Sequence, residues 1–442
     1  MKFAQYYDGD QQKLAFSQMR YKAAFRDVFS GWRDNFCGMI VDSANERMFV
    51  EGFRFPGSSG ADRDARTFWQ RSSMDAFSNS VHLDAMIQGT AYVLVWADKD
   101  GQPSIRPVSA ESMAVQYKAG SLTELEAAAN FYSDAWGRQG AMLWTEKYVY
   151  DVPLGSTSWT QGTRKKNPLG VVPVVPFNNR RRLVGDPISD LANCIPIQDA
   201  INKTVMDALT ASEFAAFPQR HVTGLEIQED INGRPIEPFD VAVDKILQAE
   251  DPQAKFGAFA PADLGNYVTL VGMLVQHLAS VSRLPAHFFL VNGATAPSGE
   301  SILSAEAGLV AKVKEKMLHF GEAWERVVRL CFAVIKDPRK DAFEMETIWR
   351  DPEYRTEAQH IDALLKLAQL NVPEEQLWLD ARYTPTQIEA FRAMRKRDAE
   401  HAAEIARINP RHDPAAVEAK KAASKPPQGN SGNANRKIHE MK

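Results

Sequence analysis

Apolar residues recur every three or four positions along three stretches in the second half of the chain, which is the period of an amphipathic helix. These stretches predict helices over residues 186–216, 262–283 and 300–336. An Asp-Pro pair favours the start of the first helix, and Pro196 is expected to kink or divide it. The third helix would be about 55 Å long at roughly 1.5 Å per residue, which is too long for one small domain.

The first 185 residues mix strand patterns with helical ones, which predicts an α+β region in a chain that is mainly helical as a whole. Runs of aromatic and β-branched residues indicate the strands. The prolines at 168, 173 and 176 exclude a helix over residues 167–179. The predicted elements are helices at 11–29 and 64–88, strands at 91–96, 104–108 and 143–150, a turn at 98–101, and an extended segment at 167–179.

Three other regions have their own patterns. Residues 217–261 contain five prolines and eight acidic against four basic residues, and they predict a small β-rich excursion between two helices. Residues 353–405 predict a bundle of three short helices. From residue 411 the chain is basic and almost free of large apolar side chains, which predicts a disordered tail.

The stretch from 264 to 282 carries no Asp, Glu, Lys or Arg. Its length would allow a membrane span, but polar residues such as Asn266, Gln276 and His277 interrupt it. A helix buried on most sides by other protein, including copies of itself, is the favoured interpretation.

Composition narrows the function classes. The 442 residues are 44% hydrophobic and 24% charged, with a net charge of −4, which is typical of a folded protein and not of a strongly basic nucleic-acid binder. The three cysteines are far apart and odd in number, which favours a reducing compartment and neither a disulfide scaffold nor a structural zinc site. The first residues lack the apolar core of a secretory signal.

Motifs that carry chemistry are absent from the sequence. There is no phosphate-binding G-x-x-x-x-G-K-[ST] loop, no G-x-S-x-G elbow and no H-E-x-x-H pair. Asp98 and Asp100 resemble a metal-binding pair, but Gly101 and the flanking strands favour a hairpin turn. No acid, base and nucleophile come together, so we predict no catalytic residue, no metal site and no cofactor.

Basic residues are concentrated between residues 163 and 185, where no acidic residue occurs. They form either a solvated surface or a contact with phosphates or with acidic residues of a neighbouring subunit. These residues are Arg164, Lys165, Lys166, Arg180, Arg181 and Arg182.

Several blocks of sequence together resemble the portal proteins of tailed bacteriophages, and more narrowly those of long-tailed phages that infect actinobacteria. The blocks extend from about residue 6 to 400, and their number and order carry the resemblance. They are YYDGDQQKLAF (6–16), GTAYVLVWADKDGQP (89–103), NPLGVVPVVPFNNRRRLVGDP (167–187), IPIQDAINKT (195–204), FAAFPQRHVTG (214–224), PSGESILSAEAGLVAKV (297–313) and IWRDPEYRTEAQHIDALLKL (348–367).

The resemblance implies a ring, commonly a dodecamer, at one capsid vertex through which double-stranded DNA enters and leaves. It also implies the parts of the portal fold, each of which has a counterpart among the elements above. They are a wing (1–185, with the long helix 301–337), a stem of two helices (186–216 and 262–283), a clip (217–261), a tunnel loop (284–300), a helical crown (338–410) and a disordered basic tail (411–442).

Three sets of site residues follow from this assignment. The tunnel loop facing the DNA channel would comprise Leu290, Val291, Asn292, Gly293, Ala294, Thr295, Ala296, Pro297 and Ser298. The stem contact between subunits would use Gly265, Thr269, Gly272, Gln276 and Ser280, which are small or neutral. Glu229 and Asp230 in the acidic clip would dock partners.

The implied partners are other copies of the chain, the terminase large subunit, a head–tail adaptor, the major capsid protein and scaffold, and the DNA; no membrane is involved. The implied location is the virion, after assembly in the host bacterial cytoplasm. The resemblance implies a structural protein for genome packaging, genome ejection and head–tail joining, and not an enzyme. The alternatives are another capsid-vertex or minor head protein and, from another class, a metal-dependent nucleic-acid enzyme that uses Asp98 and Asp100.

Overall fold

A computed structural model describes residues 2–10, 33–57, 60–153, 163–216, 220–224, 231–232, 252–259, 263–289, 299–353, 357–381 and 383–408. The chain divides into two compact units, residues 1–355 and 356–442. Helices and sheets both contribute to the first unit, so the α+β class is confirmed.

The helices of the first unit are short near the N-terminus and long after residue 194. They are α1 (Lys2–Tyr7), α2 (Cys37–Asn45), α3 (Arg63–Arg71), α4 (Met74–Gln88), α5 (Ile195–Ala216), α6 (Gly265–Ser282) and α7 (Gly299–Val334).

The strands of this unit are mostly short and pair antiparallel in every ladder that the structure describes. They are β1 (Val50–Arg54), β2 (Thr90–Ala97), β3 (Pro103–Ser109), β4 (Met113–Tyr117), β5 (Leu125–Ser133), β6 (Gln139–Thr145), β7 (Tyr148–Pro153), β8 (Thr163–Lys166), β9 (Val174–Asn178), β10 (Arg220–Thr223), β11 (Lys255–Ala258) and β12 (Glu346–Trp349).

Two sheets organise the first unit. One has the order β3-β2-β9, and α4 and α7 both pack on it. The other is a meander in the order β4-β5-β6-β7-β8, with its own apolar cluster around Trp144. The remaining ladders join β1 to β12 and β10 to β11.

The main core fixes α7 against α4 through buried aromatic side chains. Trp324 donates a hydrogen bond from Nε1 to His82 Nε2 at 2.8 Å, and the His82 ring stacks on Phe320 with centroids 5.3 Å apart. Burial lowers the pKa of His82 to about 3, so the ring is neutral at physiological pH. The long helix is therefore held by a neutral packed histidine and not by a titrating one.

Several predicted elements are confirmed with small changes at their ends. The strands at 91–96 and 104–108 are β2 and β3, and the helix over 300–336 is α7. In the turn between β2 and β3, Asp98 Oδ1 accepts hydrogen bonds from the backbone N–H groups of Asp100 and Gln102. The Asp98 carboxylate is thus used to close a hairpin.

The helix predicted over 64–88 is two helices, α3 and α4. Ser73 lies between them with φ of 54°, a left-handed conformation that no continuous helix contains. The preceding Ser72 directs its hydroxyl Oγ to accept a hydrogen bond from the Ile105 N–H on β3. The break therefore connects the helices to the sheet, which an apolar period in sequence does not indicate.

The strand predicted over 143–150 is also wrong, because a turn divides it into β6 and β7. Trp144 pairs with Val149 across the resulting ladder. The Thr145 hydroxyl accepts from the Tyr148 N–H and donates to the Tyr148 carbonyl, which closes the turn. A run of aromatic and β-branched residues conceals such a turn.

The helix predicted over 186–216 is α5, which begins at Ile195 and not at 186. Pro196 is its second residue, where the helix needs no backbone N–H donor, so Pro196 neither kinks nor divides it. Residues 189–194 form turns before it, and Asp190 is buried there with its side chain 1% exposed.

The region predicted as a crown from residue 338 starts with elements of the first unit. Asp337 caps a short 3-10 turn, and β12 then pairs with β1. The Thr347 hydroxyl donates to the Gly321 carbonyl at 3.2 Å, and a side chain at Gly321 would press against Trp349. Gly321 is thus a close packing point of α7.

The second unit contains the three helices predicted after residue 353. They are α8 (Glu357–Gln369), α9 (Glu374–Asp380) and α10 (Pro385–Ile408). Trp378 and Tyr383 both contact the Phe391 ring edge to face, and this aromatic cluster joins α9 to α10.

The three cysteines are free and buried, as expected for a protein without a disulfide scaffold. The helix predicted at 11–29 lies outside the described residues.

Candidate functional site

The six basic residues singled out in the sequence occupy two places. Arg164, Lys165 and Lys166 lie on β8, the exposed edge strand of the five-stranded meander. The guanidinium of Arg164 lies over the Tyr148 ring at 4.5 Å from its centroid. The other three arginines follow β9, which belongs to the other sheet. The six basic residues therefore form one group in the sequence but two groups in the structure.

A pocket of about 290 Å³, which we call the basic pocket, lies beside the three arginines after β9. It is enclosed by the end of β9, the turn after α6 and the middle of α7. The charged and polar residues that line it are Asn178, Asn179, Arg180, Arg181, Arg182, Asp190, Ser282, Arg283, Lys312, Glu315, Lys316 and His319.

A buried carboxylate lies at the base of the basic pocket. Asp190 Oδ1 is 3.0 Å from Lys316 Nζ, and Asp190 Oδ2 is 3.0 Å from Lys312 Nζ. The Lys316 and Lys312 side chains are 5% and 12% exposed. One carboxylate thus holds two lysines of successive turns of α7, which fixes the long helix to the turns before α5.

The two ammonium groups and burial act in opposite directions on Asp190. Burial alone would raise the pKa of its carboxyl, but the charges of Lys316 and Lys312 hold that pKa well below its usual range. Burial lowers the pKa of Lys316 to about 8, against the attraction of Asp190. Asp190 is therefore ionised at neutral pH in the folded protein.

Asn179 orders the same group from β9. Its amide Nδ2 donates to Asp190 Oδ1 at 2.9 Å and to the Ile188 carbonyl at 2.8 Å, while its Oδ1 accepts from Lys316. Asn179, Asp190 and Lys316 are therefore joined by hydrogen bonds, and Lys312 is joined to Asp190 Oδ2 by an ion pair. We call Asn179, Asp190, Lys312 and Lys316 the buried network.

The lysines of the buried network are only partly recognisable from the sequence. Lys312 and Lys316 are four residues apart on a helix whose neighbouring positions Leu309, Val313 and Phe320 are fully buried. Lysines beside an apolar stripe need a counter-ion, but that counter-ion comes from Asp190, more than one hundred residues away. Arg283 likewise reaches the basic pocket only through the fold.

The second candidate site is the uncharged helix α6. One side of it packs on α5, and Leu278 is fully buried. The five residues predicted as a subunit contact are all exposed in the single chain, and no atom lies within 4 Å of where a side chain at Gly272 would begin. The same helix also exposes the large apolar side chains of Val268, Leu270, Met273 and Val281.

This surface of α6 combines apolar and neutral residues with no charge. A helix face that stays in water normally carries charged side chains, so the exposed face of α6 is suited to contact other protein. Among the described residues, no helix is long and apolar enough to cross a membrane.

No metal site accompanies the Asp98–Asp100 pair. Within the described ranges, no group of three or more His, Cys, Asp or Glu side chains is placed to hold a metal ion. Asp98 also forms an ion pair with Arg71 at 3.1 Å. Both carboxylate oxygens of Asp98 are therefore engaged, Oδ1 in the hairpin turn and Oδ2 with Arg71.

Two sets of predicted site residues lie outside the described residues. They are the tunnel loop 290–298 and the clip residues Glu229 and Asp230. The tail 411–442 does so as well. Within the segment 217–261 that was predicted as a clip, the described residues include β10 and β11, which form a ladder in which Arg220 pairs with Ala258.

Comparison with known proteins gives consistent matches. A family model described as "Phage portal protein, SPP1 Gp6-like" matches residues 1–401. The chain is 30% identical over 392 residues to the portal protein of Mycobacterium phage L5, covering 83% of this chain and 78% of that protein. It is 30% identical over 390 residues to the portal protein of Mycobacterium phage D29, with the same coverage.

Two solved structures are more distant. One is the neck of an empty GTA particle, with a TM-score of 0.45 and 10% identity over 86% of this chain and 97% of that one. The other is the virion of a native gene transfer agent particle, with a TM-score of 0.41 and 12% identity over 77% of this chain and 82% of that one.

Proposed function

The chain belongs to the SPP1 Gp6-like phage portal protein family and acts as a portal at the capsid vertex, and we propose that its copies close into a dodecameric ring around a DNA channel. The observation that carries this proposal is the family match over residues 1–401. The exposed uncharged face of α6 supports it, because a closed ring gives each stem helix a neighbour on either side.

Under this proposal the elements take the roles of the portal fold. The two sheets with α7 form the wing, α5 and α6 form the stem, and β10 and β11 form the base of the clip. Residues 290–298 form the tunnel loop and α8 to α10 form the crown. The side chains of Arg164, Lys165 and Lys166 are exposed on the wing surface and would contact DNA phosphates or acidic residues of a neighbour.

The portal family is a structural component of the capsid, and we extend this to the absence of catalysis in this chain. The energy for packaging would come from the terminase large subunit docked on the clip, and a head–tail adaptor would later occupy the same face. The major capsid protein and scaffold would contact the wing during assembly in the host cytoplasm. The basic tail would lie along DNA or bind scaffold.

Electron microscopy of the purified chain tests the ring. We expect particles with a central hole, with the number of subunits given by class averages and by the mass in native mass spectrometry. A chain that stays monomeric at every concentration, and that also fails to assemble with its scaffold, would contradict the proposal.

The tunnel-loop assignment makes one prediction. Residues 290–298 carry no charge and contain one glycine and one proline, so the segment is suited to move past DNA without gripping phosphates. Deleting three of these residues should leave the ring intact but reduce the yield of DNA-filled heads. Full heads at the normal yield, counted by electron microscopy, would show that this loop does not act on DNA.

The clip assignment makes a second prediction, which concerns partner binding. Residues 217–261 carry a net charge of −4, from eight acidic and four basic residues, so the partner surface should be basic. Changing both Glu229→Lys and Asp230→Lys should weaken binding of terminase or adaptor, most strongly at low salt. Glu229→Gln with Asp230→Asn is the neutral control and should have a smaller effect. Equal affinity of all three forms in a binding titration would remove these residues from the docking surface.

A further inference from the structure

We infer that the basic pocket receives an acidic side chain from a neighbouring copy of the chain, so that the pocket is complete only between two subunits. The inference rests on the ring of the proposed function and names a contact within it. This contact lies beyond the stem face of α6, at the turn where α6 ends.

Positive charge in the basic pocket exceeds negative charge. Six cationic side chains line it against the two carboxylates of Asp190 and Glu315. Both oxygens of Asp190 already face lysines of the buried network. The six cationic residues are Arg180, Arg181, Arg182, Arg283, Lys312 and Lys316.

The guanidinium groups at the basic pocket have no counter-ion among the described residues. In that part of the chain, no ion pair is formed by Arg180, Arg181, Arg182 or Arg283. Arg180 and Arg283 also adopt left-handed backbone conformations, with φ of 48° and 60°. Cations gathered around one cavity repel one another, and an added anion would relieve this repulsion.

A buried hydrogen-bond donor gives independent evidence for a missing acceptor. The guanidinium of Arg181 lies over the Tyr117 ring, 4.6 Å from its centroid, which holds the side chain in place. Its Nε atom is buried and has no hydrogen-bond acceptor among the described residues. A buried N–H without an acceptor is unfavourable, so an arriving oxygen that accepts from it would remove that cost.

The shape of the basic pocket favours a side chain over a DNA duplex. The ammonium groups of Lys312 and Lys316 belong to side chains that are at most 12% exposed. The backbone of a duplex follows a convex surface and does not enter such a recess. A cavity of about 290 Å³ admits one protruding carboxylate side chain together with part of its aliphatic stem.

Exposed apolar residues beside the arginines favour a protein surface over a free anion. Leu183 and Val184, directly after the arginines in sequence, are 85% and 84% exposed, and Val281, which lines the pocket, is 47% exposed. Exposed apolar side chains close to charged ones are typical of a surface that another protein covers. Val281 belongs to α6, the helix that also carries the proposed stem contact.

A carboxylate from the neighbour would have three effects. It would neutralise the unpaired guanidinium groups, supply an acceptor for Arg181, and form charge-assisted hydrogen bonds whose geometry sets the rotation between subunits. The buried network below would hold the recess in the shape that receives it.

Charge reversal tests the contact. Arg180→Glu and Arg182→Glu, alone and combined, change exposed side chains that have no described ion-pair partner, so the subunit should fold normally. We expect the concentration needed for half-assembly, measured by mass photometry, to rise by roughly tenfold or more. Lys99→Glu, at the tip of the β2–β3 turn, is the matched control and should assemble like the unmodified chain. Circular dichroism and thermal unfolding should not change.

Chemical cross-linking identifies the carboxylate. In an Arg182→Lys variant that keeps the charge, a carbodiimide should couple the introduced lysine to an Asp or Glu. Rings mixed from nitrogen-15-labelled and unlabelled copies distinguish links between subunits from links within one. We expect a cross-linked peptide pair of mixed isotope.

The inference is overturned if rings form but the lysine at position 182 couples only within its own copy. It is also overturned if the doubly reversed variant assembles normally, and loss of binding to duplex DNA or inorganic phosphate in that variant would then assign the pocket to phosphate. In each case rings of the unmodified chain in electron microscopy would leave the proposed function standing.

Discussion

Substituting Gly272→Asp in α6 is expected to abolish ring assembly while each subunit stays folded. Gly272 is exposed, and no atom lies within 4 Å of its added Cβ, so the single chain has room for the new side chain. In the ring this position would face a neighbouring helix, and the same charge would be buried without a partner in every subunit, which costs several kcal/mol each time. Size-exclusion chromatography with light scattering measures the assembly, and circular dichroism measures the fold.

Two control variants separate charge from size and helix propensity. Gly272→Asn introduces a side chain of nearly the same size without the charge, and Gly272→Ala adds one methyl group and favours the helix. Gly272→Ala should assemble, and Gly272→Asn should have an intermediate effect. If the aspartate variant forms full-size rings of normal stability, this face of α6 is not a subunit contact. An unfolded aspartate variant would contradict the open surroundings of Gly272.

The long helices were predictable because their chemistry is periodic and local. The apolar period of α7 extends from Leu309 to Cys331 in successive turns, and Asp337 with Pro338 gives a definite end. The absence of charge from α6 was equally visible, since exposed helix faces otherwise carry charges. These features depend on neighbouring residues only, so the sequence contains them in full.

The predicted ends of helices and strands were wrong where a residue distant in sequence determines the backbone conformation. Ser73 adopts a left-handed conformation in a break that β3 stabilises through Ser72, and α5 begins at Ile195 because Asp190 is drawn into the buried network. The two-residue turn between β6 and β7 has no glycine or proline to mark it. In each case a contact across the fold overrides a local preference.

Of the residues that form the basic pocket, only the three consecutive arginines could be predicted from the sequence. The run Arg180–Arg182 is obvious in sequence, but Arg283, Lys312 and Asp190 reach it from three other parts of the chain. Counting charges along the sequence therefore placed Arg164 and Arg180 in one group, although they belong to different parts of the fold. The same count did not include Lys312 and Lys316, which the fold brings to the basic pocket.

Removing the central carboxylate of the buried network is expected to have the largest effect on the stability of the subunit. Asp190→Asn preserves the shape of the side chain but leaves Lys312 and Lys316 facing each other without a counter-ion. Breaking a buried ion pair in this way costs about 3–5 kcal/mol, because an uncompensated charge remains in the interior. We expect the free energy of unfolding of the first unit, followed by tryptophan fluorescence in urea, to fall by that amount. The Gly272→Asp background removes any contribution of assembly to the measurement.

The pH dependence of the stability provides a second test of the role of Asp190, because the direction of the change can be predicted. The pKa of Asp190 is lower in the folded state than the value of about 3.9 in an unfolded chain. The stabilisation is therefore present in full above that unfolded value and is lost as the pH falls through it toward the folded pKa. The unmodified chain should lose stability on acidification below about pH 4, and Asp190→Asn should lose less over the same interval.

A second substitution distinguishes the charge from the packing. Lys316→Met keeps a long apolar stem and removes the buried ammonium, so Asp190→Asn combined with Lys316→Met leaves one fewer uncompensated charge than Asp190→Asn alone. The double variant should therefore be more stable than Asp190→Asn, although each single change is destabilising, and the cycle gives their coupling. If the double variant is instead less stable by the sum of both single effects, the two residues do not interact, and the attachment of α7 to the turns before α5 must come from the surrounding apolar core.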